Sequence, residues 1–183
     1  MYFIVEYEKI KDICKVYKGT QLNKSKLHTF GEFPVINGGK EPSGYWNQYN
    51  FNENNITISQ GGASAGYVDW QKNKFWAGAH CYVCISNDKK INNKFLFYVL
   101  KNNENKLQQK QYGAGIPSLG LDTLQDIQIP IPHISVQNKI VEILDKLETY
   151  TKDIKSGLPL EIKQRHQQYE YYLNKLFEFD KKS

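Results

Sequence analysis

In the C-terminal quarter, SVQNKIVEILDKLETYTKDIKSGLPLEIKQRHQQYEYYLNKLFEF, apolar residues return at alternating steps of four and three. Val136, Ile140, Ile143, Leu147, Tyr150 and Ile154 form one such seam, and Ile162, His166, Tyr169, Leu173 and Leu176 form a second. That spacing puts each set on a single stripe of an α-helix. Between them Gly157 is placed to end the first helix, and Pro159 suits the first turn of the next. A helix cannot bury so narrow a stripe by itself. Each seam therefore requires another helix, either its neighbour or one from a second chain.

Upstream, IQIPIPHIS marks a boundary, because Pro130 and Pro132 forbid regular helix and favour an extended connector. Residues 1–133 then form one unit and residues 134–183 a helical one. The first unit reads as strand-rich. Short β-type runs occur at 33–36, 55–59, 65–70 and 80–85, with Gly and Asn clusters between them, and Gly38-Gly39 and Gly61-Gly62 are turn signals. One helical interruption is predicted at 92–111, with Phe95, Leu96 and Val99 on its apolar face and a weak middle at Asn102-Asn103. The fold class expected is α+β, a strand-rich domain followed by a long helical arm of coiled-coil type.

The 183 residues suffice for one core, and a mean hydropathy of −0.62 with 40% hydrophobic residues suits a soluble chain. No run reaches membrane length. Charges at Glu6, Glu8 and Lys9 interrupt what would be a signal peptide's apolar stretch, and three cysteines do not make a disulfide framework. A cytoplasmic protein is expected. The net charge of +5 is concentrated in the first unit, where 15 lysines face 11 acids, and it is compatible with a polyanionic partner.

Two motifs invite enzymatic readings. GASAG at 62–66 fits the G-x-S-x-G nucleophile elbow around Ser64, and Asp126 and His133 follow in hydrolase order. An elbow must lead into a helix, yet YVDWQKNKFW carries strand-like spacing, so a glycine-rich hairpin loop is the reading preferred. Cys81 and Cys84 form C-x-x-C beside His80. In a strand they point to opposite faces, and no second ligand pair accompanies them, so they read as buried thiols. His28, His133 and His166 are isolated, the last a polar seam position that could fix helix register. There is no phosphate-binding P-loop, no complete dinucleotide loop at 113–118, and no Asn-Pro-Pro-aromatic tetrapeptide.

The tail resembles the conserved region of the DNA specificity subunits of type I restriction-modification systems. The residues carrying this are Ile129-Pro130-Ile131-Pro132, then Gln137, Ile140, Val141, Leu144 and Asp145, then Gly157-Leu158-Pro159 with Glu161-Ile162, and Gln168-Tyr169-Glu170-Tyr171-Tyr172. YKGTQ, PVINGG, ISQGGASAGYV and GAGIPSLGLDTL are similar to the family's target recognition domains. Members usually carry two recognition domains and two helical regions, whereas this sequence holds one of each, so the resemblance implies half a subunit. Leu173-Asn174 stands where the family tends to have Arg-Asp.

The resemblance implies a non-catalytic chain that reads one half of a split double-stranded DNA target. Modification subunits would methylate an adenine in each half with S-adenosylmethionine, and a restriction subunit would supply a motor using ATP and Mg. This chain would bind none of these cofactors. It would act as a homodimer or beside another half. A free-standing dimeric DNA-binding regulator is the alternative reading. The nominated DNA contacts lie in four loops: Lys18, Gln21 and Lys24; Lys40, Ser43 and Tyr45; Gln60, Ser64 and Tyr67; Lys110, Tyr112 and Ser118. Arg165, the single arginine, lies in the tail, so bidentate arginine-to-guanine contacts are closed to the recognition domain. Readout falls to Lys, Asn, Gln, Ser and Tyr.

Overall fold

The computed structural model of the chain describes residues 5–86, 89–110, 117–153 and 159–178, with backbone only at 152–153 and 159–162. Tyr112, Ile154, Gly157 and the side chain of Ile162 lie outside the described residues. In chain order come β1 (Glu6–Lys9), the single-turn helix α1 (Ile10–Ile13), β2 (Cys14–Lys18), β3 (Phe33–Ile36), β4 (Tyr45–Trp46), β5 (Asn55–Ser59), β6 (Val68–Gln71), β7 (Trp76–Ala77) and β8 (Cys81–Ser86). Then follow α2 (Asn93–Asn102), α3 (Glu104–Gln109), α4 (Leu121–Gln125), β9 (Gln128–Ile131), α5 (Ile134–Asp153) and α6 (Pro159–Leu176). The architecture is α+β, as the sequence predicts.

The main sheet has the order β2-β8-β5-β6, antiparallel throughout. Every residue of β5 is buried, as are the first four of β8. Such unbroken runs arise when both faces of a sheet are covered. On one face Ile56, Ile58, Tyr82 and Cys84 meet α2 and the helical tail. On the other, Cys81 and Val83 form a smaller cluster with Phe75 and Ala77, under the three-stranded sheet β4-β3-β7. Cys81 and Cys84 thus sit on opposite faces, as strand alternation requires, and both are buried. Burial pushes the Cys81 thiol up to about 12.

Helix α2 starts where the Asn92 side chain accepts hydrogen bonds from the Lys94 and Phe95 amides at 2.8 and 3.1 Å. Phe95 through Leu100 are all buried, so the helix is covered on every side, by the sheet on one and by α5 and α6 on the other. It stops at Asn103, whose side chain bonds back to the Val99 carbonyl at 2.8 Å before α3 begins. The weak middle predicted at Asn102-Asn103 is therefore a break between two helices.

Three elements depart from the sequence reading. The run at 65–70 is strand only from Val68, because Gly66 at φ +86° holds a turn there. The proline-rich connector is a true strand. β9 pairs antiparallel with β1, setting Tyr7 opposite Pro130, and a two-stranded ladder with a free edge tolerates a residue lacking an N–H. Last, the side of α5 that faces the domain is rotated from the seam. Gln137, Ile140 and Leu144 are buried, Ile143 and Leu147 are half-buried, and Val136 and Tyr150 are 37% and 56% exposed. α6 packs on α5, where Leu173 is buried with Ile140 and Leu144, Tyr169 and Leu176 are half-buried, and His166 is exposed. Beyond it Phe177 meets Phe95 with ring centroids 5.5 Å apart. Burying each of the aliphatic side chains of Ile140, Leu144 and Leu173 contributes roughly 1.5–3 kcal/mol.

Candidate nucleic-acid interface

The turn from Ala77 to Cys81, between β7 and β8, collects the glycine-rich loops. The amides of Gly19 and Thr20 donate to the carbonyls of Cys81 and Ala77, both at 2.8 Å. The Gly78 amide donates to Ile36 at 2.7 Å, and the His80 amide to Asn37 Oδ1 at 3.0 Å. Gln60 donates its amide to His80 at 2.9 Å and accepts from Leu119 at 2.7 Å, while Gly62 donates to Pro117 at 2.9 Å. The first three nominated loops and the described end of the fourth thus converge at one end of the sheets, through main-chain bonds.

The glycines serve this convergence before any phosphate. A Cβ at Gly19 would lie 2.1 Å from the Gly78 carbonyl oxygen, and one at Gly38 would lie 2.8 Å from that of Gly61. Neither pair of loops could approach as closely with a side chain in the way. Gly62 differs, with φ +82° and open space where its Cβ would stand.

The nominated residues fall into distinct settings. Lys18, Gln21, Lys24, Lys40 and Ser43 are exposed. Tyr45 is half-buried in β4, its backbone bridged to His28. Ser118 is half-buried and bridged to Gly61. Gln60 is half-buried, and its Oε1 is sealed from solvent with no partner among the described residues. Tyr67 stands between two ammonium groups, Lys40 at 5.8 Å and Lys101 at 4.4 Å from its ring centre. Burial pushes its hydroxyl up to about 12, so Tyr67 remains a donor at neutral pH. Lys110 is exposed and set apart, lining a groove with Lys106, Asp126 and Gln128.

Ser64 occupies the turn before β6, so strand rather than helix follows GASAG. Asp126 pairs with Lys9 at 2.8 Å, and His133 meets Ser135 at 2.8 Å. The Lys9 ammonium, with its hydrogen bond, holds the Asp126 carboxyl below the usual aspartate range.

Sequence reasoning missed an aromatic and basic side of this end. Trp46 and Trp76 meet edge to face at 4.6 Å, Lys26 lies 5.3 Å over Trp46, and Trp76 donates its indole N–H to the Thr20 carbonyl at 3.0 Å. Lys74 lies 4.5 Å over Tyr49. Phe30 is 86% exposed on the loop whose two sides are His28 and Gly31, next to β4. Spaced aromatics and lysines were a visible signal, but no spacing rule joins residues from three loops and two strands.

Lys9, Lys90, Lys94, Lys101, Lys139 and Lys146 each have a carboxylate within 4 Å. Among the described residues, none of Lys18, Lys24, Lys26 or Lys40 has one. Lysines without a carboxylate within 4 Å among the described residues also occur elsewhere, at Lys15, Lys106 and Lys110, and Glu41 and Asp69 line the same groove as Lys40 and Tyr67. Lysines beside aromatic faces suit a polyanion's phosphates and bases.

The chain matches other proteins along almost its whole length. It is 32% identical over 172 residues to the type I restriction enzyme MpnII specificity subunit of Mycoplasma pneumoniae, covering 92% of this chain and 51% of that one. It is 47% identical over 72 residues to the EcoR124I/EcoR124II specificity subunit of Escherichia coli, covering 39% of this chain and 18% of that one. The fold is that of a type I restriction-modification system S subunit from M. genitalium, with TM-score 0.77 and 24% identity over 95% of this chain and 46% of the other. The chain thus spans about half the length of the relatives it matches. Residues 5–164 match the type I restriction modification DNA specificity domain, and the chain belongs to that family.

Proposed function

We propose that this chain reads one half of a bipartite DNA sequence for a type I restriction-modification system, and positions methyltransferase and motor subunits without catalysing a step itself. The observation that carries this is the gathering, at one end of the sheets, of Tyr67, the Trp46-Trp76 pair and lysines that have no carboxylate within 4 Å among the described residues. Lys and Gln reach base edges and phosphate from the loops of this end without arginine. S-adenosylmethionine, ATP and Mg belong to the partner subunits in this reading. The arm exposes Val136, Tyr150, Tyr171 and Tyr172, with Ile143 and Leu147 half-buried. That face is available for a second copy or another half, and two copies in opposite orientation would read inverted half-sites.

The test is co-purification with a cognate methyltransferase subunit, followed by duplex DNA binding over a salt series. A stable complex is expected, and Lys40→Ala should lower the log-log salt slope by about one unit. Tight binding by the chain alone, with no methyltransferase retained, would favour the regulator instead. An unaltered slope in Lys18→Ala, Lys26→Ala and Lys40→Ala would remove these loops from the interface.

A further inference from the structure

Several directional contacts along α5 join the arm to the recognition domain, among them Asn138 Oδ1, which accepts from the Asn92 side-chain amide at 2.8 Å. Two others stand out, one as the most buried and one as the shortest. Gln137, in the first turn of α5, is 0% exposed. Its Oε1 accepts from the Asn92 amide at 2.8 Å, and its Nε2 donates to the carbonyls of Lys90 at 2.7 Å and Pro132 at 2.8 Å. One side chain thereby ties together the segment entering α2, the segment entering α5, and α5 itself. Two turns on, Asp145 accepts from the Tyr98 hydroxyl at 2.5 Å and lies 3.8 Å from Lys94. The Lys94 ammonium is in turn seated 4.5 Å over Trp70 and 4.8 Å over Phe97.

Apolar contacts through Ile140 and Leu144 hold α5 down, but burial of that kind has no preferred direction. A helix can rotate or slide over an apolar patch and keep most of the buried area. Gln137 does not allow this, since any shift strands buried hydrogen-bonding groups of both the side chain and the main chain. Contacts about 12 Å apart along the axis, at 1.5 Å per residue, fix rotation and translation together.

We propose that Gln137 and the Tyr98–Asp145 pair are positioning residues that set the angle between recognition domain and arm, and through it the spacing between half-sites. This rests on the reading that the chain reads half of a bipartite target. The lever is long. From Gln137 to its end α5 extends about 24 Å, so a tilt of about 10° at Gln137 moves its far end by about 4 Å. Successive base pairs are about 3.4 Å apart, so that displacement exceeds one step of the duplex. A loose joint would therefore blur the spacer without touching the bases read.

The test uses the full chain with spin labels on Lys24→Cys and Lys146→Cys, both exposed, the three native cysteines being buried. Labelled protein is diluted with unlabelled protein so that intramolecular distances dominate. Pulsed dipolar spectroscopy should give one narrow distance distribution, broadened at least about twofold by Gln137→Ala and less by Tyr98→Phe. Leu144→Ala, which removes packing but no directional bond, should melt lower and stay narrow.

Selection from a randomised duplex pool, with the methyltransferase subunit bound, provides the second readout. The half-site bases should be unchanged in Gln137→Ala while more than one spacer length is recovered. Wild-type width in both folded variants, with a single spacer, would overturn the proposal. Should Gln137→Ala fail to fold, the isosteric Tyr98→Phe decides alone. A wild-type protein that enriches no sequence would sink the DNA-reading proposal and leave the label result standing as evidence of a rigid joint.

Discussion

The loop end of the recognition domain and its joint to the arm are both hydrogen-bonded, but they are held by different parts of the chain. At the loop end, amides and carbonyls of residues 19–20, 36, 60–62, 77–81 and 117–119 bond to one another, and a few side chains, Asn37, Asn50 and Trp76, complete the framework. At the joint, specific side chains make the bonds, Gln137, Asp145, Tyr98 and Lys94 among them. A framework of main-chain bonds survives replacement of most side chains. The loop end can therefore keep its shape while most of its exposed side chains change, whereas the joint depends on its side chains.

The largest effect that sharpens this contrast is expected from Leu144→Asp. The residue is fully buried between arm and domain, and an unpaired carboxylate there should cost about 3–5 kcal/mol, enough to unfold a marginally stable domain. Tyr150→Asp, on the outward side of the same helix, should change stability by no more than about 0.5 kcal/mol while weakening association of the chain with itself. Thermal melts and sedimentation separate the two. Equal melting of both variants would show that the helix has no inner and outer face in solution.

At the loop end the sensitive position is a glycine. Gly19→Ala drives a methyl against the Gly78 carbonyl and should cost about 1–3 kcal/mol, with a loss of DNA affinity. Lys18→Ala, its neighbour, should leave the melting point alone and lower affinity only. If Lys18→Ala destabilised the fold as much as Gly19→Ala, the division between main-chain framework and side-chain chemistry would fail.

The smallest effect is a pH dependence. Burial raises the Asp69 carboxyl above its ordinary 3.8, although the hydrogen bond from Gln71 opposes the shift. The folded state therefore holds that proton more tightly than the unfolded chain does. Stability contributed at this site is present below the ordinary aspartate pKa and lost as pH rises through the raised one. Asp69→Asn should consequently melt above wild type at pH 7, with the gap closing toward pH 3. A gap that widened toward low pH would reverse the sign.

Much of the fold was legible because its signals are local. FPVI, NITIS and the C-x-x-C strand stood out by β-branched content between glycines, and the break at Asn103 by two adjacent asparagines. β1, β2 and α4 escaped because four or five residues without strong periodicity do not announce themselves. The convergence of the nominated loops was visible only as a shared glycine-rich composition, since the turn that joins them contributes carbonyls that sequence does not distinguish. His80 draws notice in the sequence only as a neighbour of the C-x-x-C, whereas its amide serves the turn by donating to Asn37 Oδ1. The seam on α5 was read correctly as helical, but which side faces the domain depended on Gln137, a polar residue that periodicity treats as solvent-facing.

The short ladder between β1 and β9 carries a consequence for how such a protein could be remodelled. Glu6 lies opposite Ile131 and Lys9 opposite Gln128, so the chain leaves the recognition domain beside the place where it came in. The domain is therefore a closed excursion from its surroundings, much like a cartridge seated by two adjacent pins. A different cartridge exchanged between Val5 and Pro132 would bring its own pins, but would leave the arm where it is only if it kept partners for Gln137, as at Lys90 and Asn92, and for Asp145, as at Lys94 and Tyr98. A cut made instead between α1 and β2 would keep one pin from each parent, and those would have no reason to fit.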